Sequence, residues 1–345
     1  MCSDLPKNVP TVANVSDTPL RDSSSTSPSE PGLTVIFVAG DSRSASTLLE
    51  RTLGECAGIC SIGELRYLWD RGLRRGGLCG CGVAIAQCSF WRDVLQPVLR
   101  SENRILLDEI CRLQCKVDRP DRFLRTSHVS LRRFGRSLQQ ARQVYAQVLG
   151  ELYASISDRT GCKIIVDSSK APSHGSLLQQ IPGIRLAVVH LVRDCRAVMF
   201  SMQRRKAWPT AEGGQQFMPT YNPYKGAIRW TLVNTLLHQM ARQGTAYHLL
   251  RYEDFVRQPK TAVEDLAAEF GLPEIQTSHI TENTIQLSQS HSISGNPNRF
   301  TSGEITIKLD DEWRAAMPRH QKLFMTALAA PLLLRYGYLN GGRHE

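Results

Sequence analysis

The first 32 positions carry no periodic apolar content, and the pattern changes abruptly at Leu33. Thr34-Val-Ile-Phe-Val38 is a continuous β-branched and aromatic run, the mark of a strand covered on both faces of a parallel sheet. Ala39 to Ser46 form a turn of small residues leading into a helical stretch over 47–56. Runs of the same strand kind recur at 163–167, 186–192 and 247–251, and helix-like segments follow them at 172–180, 195–206 and 260–270. This alternation predicts an α/β fold with a mostly parallel central sheet flanked by helices.

Residues 100–150 read as helix, with Leu106, Leu107 and Ile110 at helical spacing and Arg119, Arg122, Arg125, Arg132, Arg133 and Arg136 along them. This piece, taken as about 66–150, is a helical insertion beside the sheet. Further helices are expected over 224–242 and 318–336. In the last one Leu323, Phe324, Ala327 and Leu328 are expected to face the core, with a kink or interruption at Pro331. No internal repeat is present.

With 345 residues, 41% of them hydrophobic and 21% charged, the chain cannot be mostly disordered, collagen-like or coiled-coil. Residues 1–32 are the exception: seven Ser and five Pro make a disordered tail, leaving 33–340 as the folded domain. The net charge is +10, and the tail's four acids and two bases leave the folded part at +12. An anionic partner is therefore expected, whether nucleic acid, membrane or a phosphorylated small molecule. No apolar window reaches the ~18 residues of a membrane span, and the N-terminus lacks the order of a secretory signal, so a cytoplasmic protein without a membrane segment is expected.

The turn Gly40-Asp-Ser-Arg-Ser-Ala-Ser-Thr47 lies between a buried strand and a helix, where free N–H groups and the helix dipole make an anion site. Its spacing is that of the triphosphate loop G-x-x-x-x-G-K-[ST], which predicts a P-loop-like sandwich. Ala45 replaces the second Gly and Ser46 replaces the Lys, so the loop is poorly suited to a γ-phosphate with Mg²⁺. Arg43 instead offers a planar fork to a phosphate or sulfate oxygen. A second constellation follows the strand at 186–192: Arg193 at its end, then Ser201 and Arg205 four apart on one helix face. Both lie at the carboxyl edge of the sheet, where open α/β folds bind ligands.

Arg43-Ser-Ala-Ser-Thr-Leu-Leu49 resembles the R-S-G-[ST]-T-L-L loop of sulfotransferases that use 3′-phosphoadenosine 5′-phosphosulfate (PAPS). Val192-Arg-Asp-Cys-Arg-Ala197 through Ser201 and Arg205 is similar to the family's 3′-phosphate element. Leu250-Arg-Tyr-Glu-Asp254 is similar to a strand end whose Tyr, here Tyr252, lies against adenine. His291-Ser-Ile-Ser-Gly-Asn-Pro-Asn-Arg-Phe300, followed by Asp310 to Trp313, resembles the late loop of bacterial members that covers the nucleotide, and it brings Arg299 to that site. The resemblance thus implies donor binding by Arg43, Ser44, Ala45, Ser46, Thr47, Arg193, Ser201, Arg205, Tyr252 and Arg299.

Two catalytic positions carry over from the same resemblance. Gly63-Glu64-Leu-Arg66 is similar to the G-E-x-x-R segment of tyrosylprotein-type enzymes, whose Glu is the general base, although Arg66 comes one residue sooner. Asp167-Ser-Ser-Lys170 is similar to a segment whose Lys stabilises the transferring group. The chemistry is coherent, because a carboxylate beside a cationic site accepts a hydroxyl proton and a Lys neutralises developing negative charge. The implied reaction moves a sulfuryl group in line, without metal, to an acceptor hydroxyl or amine. A β-carbon at Ala45 disfavours positive φ, so the loop is expected to close with ordinary backbone angles or to leave the site relaxed.

Cys79, Cys81 and Cys88, followed by Phe90-Trp91, allow zinc, a disulfide or a reduced loop; C-x-C-x₆-C shows no clear fourth ligand, so no metal is expected. Two other functions stay in view: a P-loop kinase or triphosphatase, opposed by the missing Lys, and a basic nucleic-acid-binding protein, whose affinity would fall steeply with salt. No nucleic-acid partner is expected if the nucleotide reading holds. The acceptor is open among peptide tyrosine, carbohydrate, lipid and small metabolites, with its pocket expected near Trp230, Asn234 and the insertion. Nothing in the sequence sets the oligomeric state.

Overall fold

The computed structural model describes residues 32–100, 107–119, 136–204, 207–209, 215–217 and 220–339. The Ser/Pro tail, Leu106, Arg122, Arg125, Arg132, Arg133 and Arg205 lie outside the described residues. Five strands form the central sheet: β1 (Leu33–Gly40), β2 (Ile59–Ser61), β3 (Ile164–Lys170), β4 (Ile184–Val192) and β7 (Ala246–Arg251), in the order β2-β3-β1-β4-β7. Every pairing is parallel. Two antiparallel pairs stand apart from it, β5 (Ala207–Pro209) with β6 (Gln215–Phe217) and β8 (Thr284–Leu287) with β9 (Gly303–Thr306).

Among the described residues the α-helices of six residues or more are α1 (Ser46–Gly54), α2 (Ser89–Arg100), α3 (Leu107–Val117), α4 (Arg136–Thr160), α5 (Pro172–Leu178), α6 (Cys195–Gln203), α7 (Pro223–Ala241), α8 (Tyr252–Arg257), α9 (Pro259–Glu269) and α10 (Arg319–Arg335). All eight residues of β1 are buried, because helices cover both faces of the sheet and leave no solvent side to alternate with. Val35, Phe37 and Ala39 point into a core shared with α2, α4 and α5. Ile36 and Val38 point the other way, toward Leu49, Leu53, Phe255 and Val263. The central sheet flanked by helices is the expected P-loop-like architecture, and it puts the ends of β1, β3 and β4 at one edge.

Among its described residues the insertion contains three separate α-helices, α2, α3 and α4, the last running on to Thr160. The last helix turns a different face inward from the one expected. Met325, Ala329 and Leu333 are buried, whereas Leu323 is 71% and Phe324 42% exposed. Apolar residues ring this helix almost completely, so periodicity alone does not select a face. Nor does Pro331 break it: α10 runs through that residue. Both Pro331 and Ala327 are exposed, so the carbonyl that loses its intrahelical donor faces water.

Candidate active site

Gly40 ends β1, and the chain turns through Asp41 to Ala45 before α1 begins. Arg43 and Ala45 take left-handed backbone angles, with φ of 67° and 65°. The turn therefore closes through a strained conformation at Ala45, in place of ordinary angles, at a cost of about 1–2 kcal/mol relative to a right-handed residue. In return the N–H groups of Ser44 to Thr47 meet no acceptor among the described residues. Ser44 is buried and its hydroxyl has no partner among the described residues. Unsatisfied donors at a helix N-terminus are what an anionic oxygen requires.

Arg193, at the end of β4, reaches across to this turn and donates from Nη1 to the Arg43 carbonyl at 3.0 Å. Its Nη2 donates to the Asp310 carbonyl at 2.8 Å and lies 2.9 Å from the Asp310 carboxylate, while its Nε is buried without a partner among the described residues. The guanidinium sits 4.3 Å from the centre of the Tyr252 ring, and the Tyr252 hydroxyl accepts the Asp310 N–H at 3.1 Å. Arg43 forms no ion pair among the described residues, and burial together with the neighbouring Arg193 charge pushes its pKa down. Two close guanidiniums, of which only Arg193 meets a carboxylate, the partly exposed Asp310, make a locus that favours an anion.

Glu64 and Lys170 face each other from the ends of two neighbouring segments. Lys170 Nζ donates to Glu64 Oε1 and, at 3.2 Å, to the Ser168 carbonyl. Lys170 is a left-handed residue, with φ of 64°, where the chain leaves β3 for α5. Glu64 is held by its own N–H, which donates to the Ile293 carbonyl at 2.7 Å. Arg66 turns away from the pair, gripping Asp118 at 2.6 Å just beyond α3 and so tying the insertion to this edge.

Beneath Lys170, the buried His174 lies between the carboxylates of Asp118 (3.4 Å) and Asp167 (3.3 Å). Burial alone would lower its pKa, but the two acids raise it to about 9. Glu50 of α1 escaped the sequence reading. It accepts the Gly63 N–H and the Ser168 hydroxyl, each at 2.8 Å, so one side chain pins the residues beside both Glu64 and Lys170. Burial raises its pKa to about 7. An acid inside a short helix carries no sequence signal that separates it from a solvated one.

The late loop, 288–301, closes over this edge. Gly295 has φ of 94°, and a β-carbon there would meet Thr47 Oγ1 at 3.1 Å and Glu64 Oε1 at 3.5 Å. Asn296 donates its N–H to Thr47 Oγ1 at 3.2 Å. The buried Arg51 fixes the loop by donating to the carbonyls of Ser288, Asn298 and Thr301 at 2.6–2.8 Å. Arg299 is also buried, donating to the carbonyls of Leu78 and Ser292 at 2.9 and 3.2 Å.

The structure thus brings together Arg43 to Thr47, Arg193 and Tyr252 on one side, with Glu64, Lys170 and the late loop beside Thr47. Ser201 is half-buried on α6 and makes no hydrogen bond to Arg193 among the described residues. Trp230 and Asn234 do not line a pocket: both are buried, Trp230 Nε1 donating to the Arg193 carbonyl at 3.1 Å and Asn234 bonding to His190 at 2.7 Å. They support the Arg193 turn from behind. His291 lies against Cys79 and Cys88, supplying the fourth donor that cysteine spacing did not reveal.

A sulfotransferase family model matches residues 35–276, and the chain belongs to that family. It is 31% identical over 111 residues to carbohydrate sulfotransferase 5 of Mus musculus, covering 28% of this chain and 28% of the relative's length. It is similar to the sulfotransferase domain of the Synechococcus PCC 7002 olefin synthase at 19% identity and a TM-score of 0.44, over 89% of this chain and 96% of that one. The sulfotransferase domain from the curacin biosynthetic pathway is similar at 17% identity and the same TM-score, 0.44, over 88% and 98%. The chain thus spans little more than a quarter of the length of the curated relative it matches. Among the described residues no helix is long and apolar enough to cross a membrane.

Proposed function

We propose that this chain transfers a sulfuryl group from PAPS to an acceptor hydroxyl or amine. The observation that carries the reading is the pairing of Arg193 with the Arg43 carbonyl, two cations converging on a turn whose Ser44 to Thr47 N–H groups and Ser44 hydroxyl meet no partner among the described residues. PAPS, when bound, supplies the sulfuryl group and departs as adenosine 3′,5′-bisphosphate.

The N–H groups of Ser44 to Thr47 and the Arg43 guanidinium hold the 5′ end. Arg193 holds the 3′-phosphate, in this reading with Ser201 and Arg205, and Tyr252 lies against the base. Arg299, its two Nη groups engaged by carbonyls, acts by keeping the late loop in place. Glu64 takes the acceptor proton as the acceptor oxygen or nitrogen bonds to sulfur and the sulfur–oxygen bond to the leaving phosphate breaks. Lys170 neutralises charge on that leaving oxygen. Its present contact with Glu64 means that the ammonium must shift to the donor, a move that also releases the carboxylate to act as base. Little covalent work falls to the protein, and positioning with charge stabilisation supplies the rate, as in phosphoryl transfer.

Incubating the full chain with sulfur-labelled PAPS and panels of carbohydrate, phenolic, lipid and amine acceptors tests the reaction. Label on one acceptor class together with release of the bisphosphate supports it. A chain that binds donor yet labels nothing in any class, while hydrolysing ATP with Mg²⁺, supports a nucleotide triphosphatase instead.

A further inference from the structure

Cys79, Cys81, Cys88 and His291 meet away from the phosphate loop, their donor atoms all within 4.8 Å of one another. The loop after the 3₁₀ and π turns of 65–74 brings the three cysteines, and the late loop brings the histidine from more than 200 positions further on. His291 Nδ1 lies 3.4 Å from Cys88 Sγ and 3.6 Å from Cys79 Sγ, and Cys81 Sγ lies 3.7 Å from Cys88 Sγ. A tetrahedral zinc with Zn–S of about 2.3 Å and Zn–N of about 2.0–2.1 Å has edges of roughly 3.8 Å between sulfurs and roughly 3.5 Å between sulfur and nitrogen. The three distances match those edges, whereas a disulfide would need its sulfurs about 2.05 Å apart. We propose that these four side chains form a closed, structural Cys₃His zinc site.

The surroundings are those of a ligand set held in place. The His291 ring stacks on Phe90, centroids 4.7 Å apart and planes 6° from parallel. Its carbonyl accepts the Trp91 indole N–H at 2.8 Å, so the ring is fixed from both sides. The two loops are pressed together, since a β-carbon on Gly80 would come within 2.6 Å of the Ser290 carbonyl oxygen. Three thiolates and one divalent cation leave a net charge of −1, and a buried cation lies next to it. Arg299, 2% exposed and without an ion pair among the described residues, donates to the carbonyl of Leu78, the residue before Cys79. The site thereby clamps the late loop to the 77–88 loop. Ile293, two residues past His291, bridges both Cys79 and Gly63, so the clamp ends beside Glu64.

The test reads metal and is independent of sulfuryl transfer, so failure of one reading is distinguishable from failure of the other. Elemental mass spectrometry of the full chain, purified in reducing buffer without chelator, is expected to find about one zinc per chain. Replacing it with Co²⁺ is expected to give the intense visible bands of tetrahedral cobalt and a thiolate charge-transfer band. Cys88→Ser and His291→Ala are expected to lose the metal, His291→Cys to keep it, and Cys162→Ser, outside the cluster, to keep it. Should the single variants fail to fold, zinc content and the cobalt spectrum of the unaltered chain decide. A metal-free chain that takes up neither Zn²⁺ nor Co²⁺ at micromolar concentration, or a Cys81–Cys88 disulfide in peptide mapping, overturns the proposal.

Discussion

Lys170 directs its ammonium onto Glu64 Oε1, so the two groups proposed for catalysis, 106 positions apart in the sequence, are each other's partner. In the proposed reaction each neutralises the other until a donor draws the lysine away. Their losses should therefore overlap when combined. Lys170→Ala and Glu64→Gln are each expected to lower kcat by ~10²–10³ with donor affinity less affected. The double variant should fall well short of the product of the two, because removing either leaves the other without its task. Multiplicative losses in steady-state kinetics would mean that the two act independently.

Ala45 holds a left-handed backbone at φ 65°. Glycine adopts that region without a steric penalty, so Ala45→Gly should raise stability by about 0.5–1 kcal/mol, less the extra freedom it gives the unfolded chain. An upward shift of the denaturant midpoint measures this gain. A marked downward shift would show that the turn is not strained at this residue.

Glu50 makes stability depend on pH. Its folded pKa, about 7, is raised by burial above the ordinary value of 4.5. The folded state therefore binds the extra proton between those values, and the stabilisation is full below pH 4.5 and lost as pH rises through 7. The difference corresponds to roughly 3 kcal/mol. Glu50→Gln keeps an acceptor for Gly63 and should flatten that part of the curve of unfolding free energy against pH. An unchanged slope between pH 5 and 8 in the variant would assign the dependence to other groups. His174 is one that persists in both proteins: its pKa of about 9 gives stability present below 6.5 and lost as pH rises through 9.

Arg193→Ala should weaken adenosine 3′,5′-bisphosphate binding by roughly 10–100-fold, the worth of a charge-assisted hydrogen bond. Adenosine 5′-monophosphate, lacking the 3′-phosphate, should be affected far less. Equal losses for the two nucleotides would place Arg193 elsewhere in the site.

The parts of the site that were legible are the ones built locally. A buried strand, a turn of small residues and a helix follow one another within about twenty positions, and that order alone locates Arg43 to Thr47. Lys170 and Arg193 follow as the ends of two further apolar runs. Glu50 was not legible, because its burial depends on β3 and the Glu64 turn packing against α1. His291 was not, because its neighbours Cys79 and Cys88 arrive from a loop far away in sequence. Trp230 and Asn234 are expected near the acceptor pocket, but both are buried behind the Arg193 turn. On α10, apolar residues on every side hide the inward face, which packs into the cluster that holds Trp230.

Isothermal titration of the intact chain with adenosine 3′,5′-bisphosphate tests the central claim most directly. One molecule should bind per chain at micromolar concentration or tighter, with affinity lowered by Arg193→Ala. Absence of any binding heat to the folded protein, with heat instead from long polyanions that fades steeply with salt, would contradict the claim.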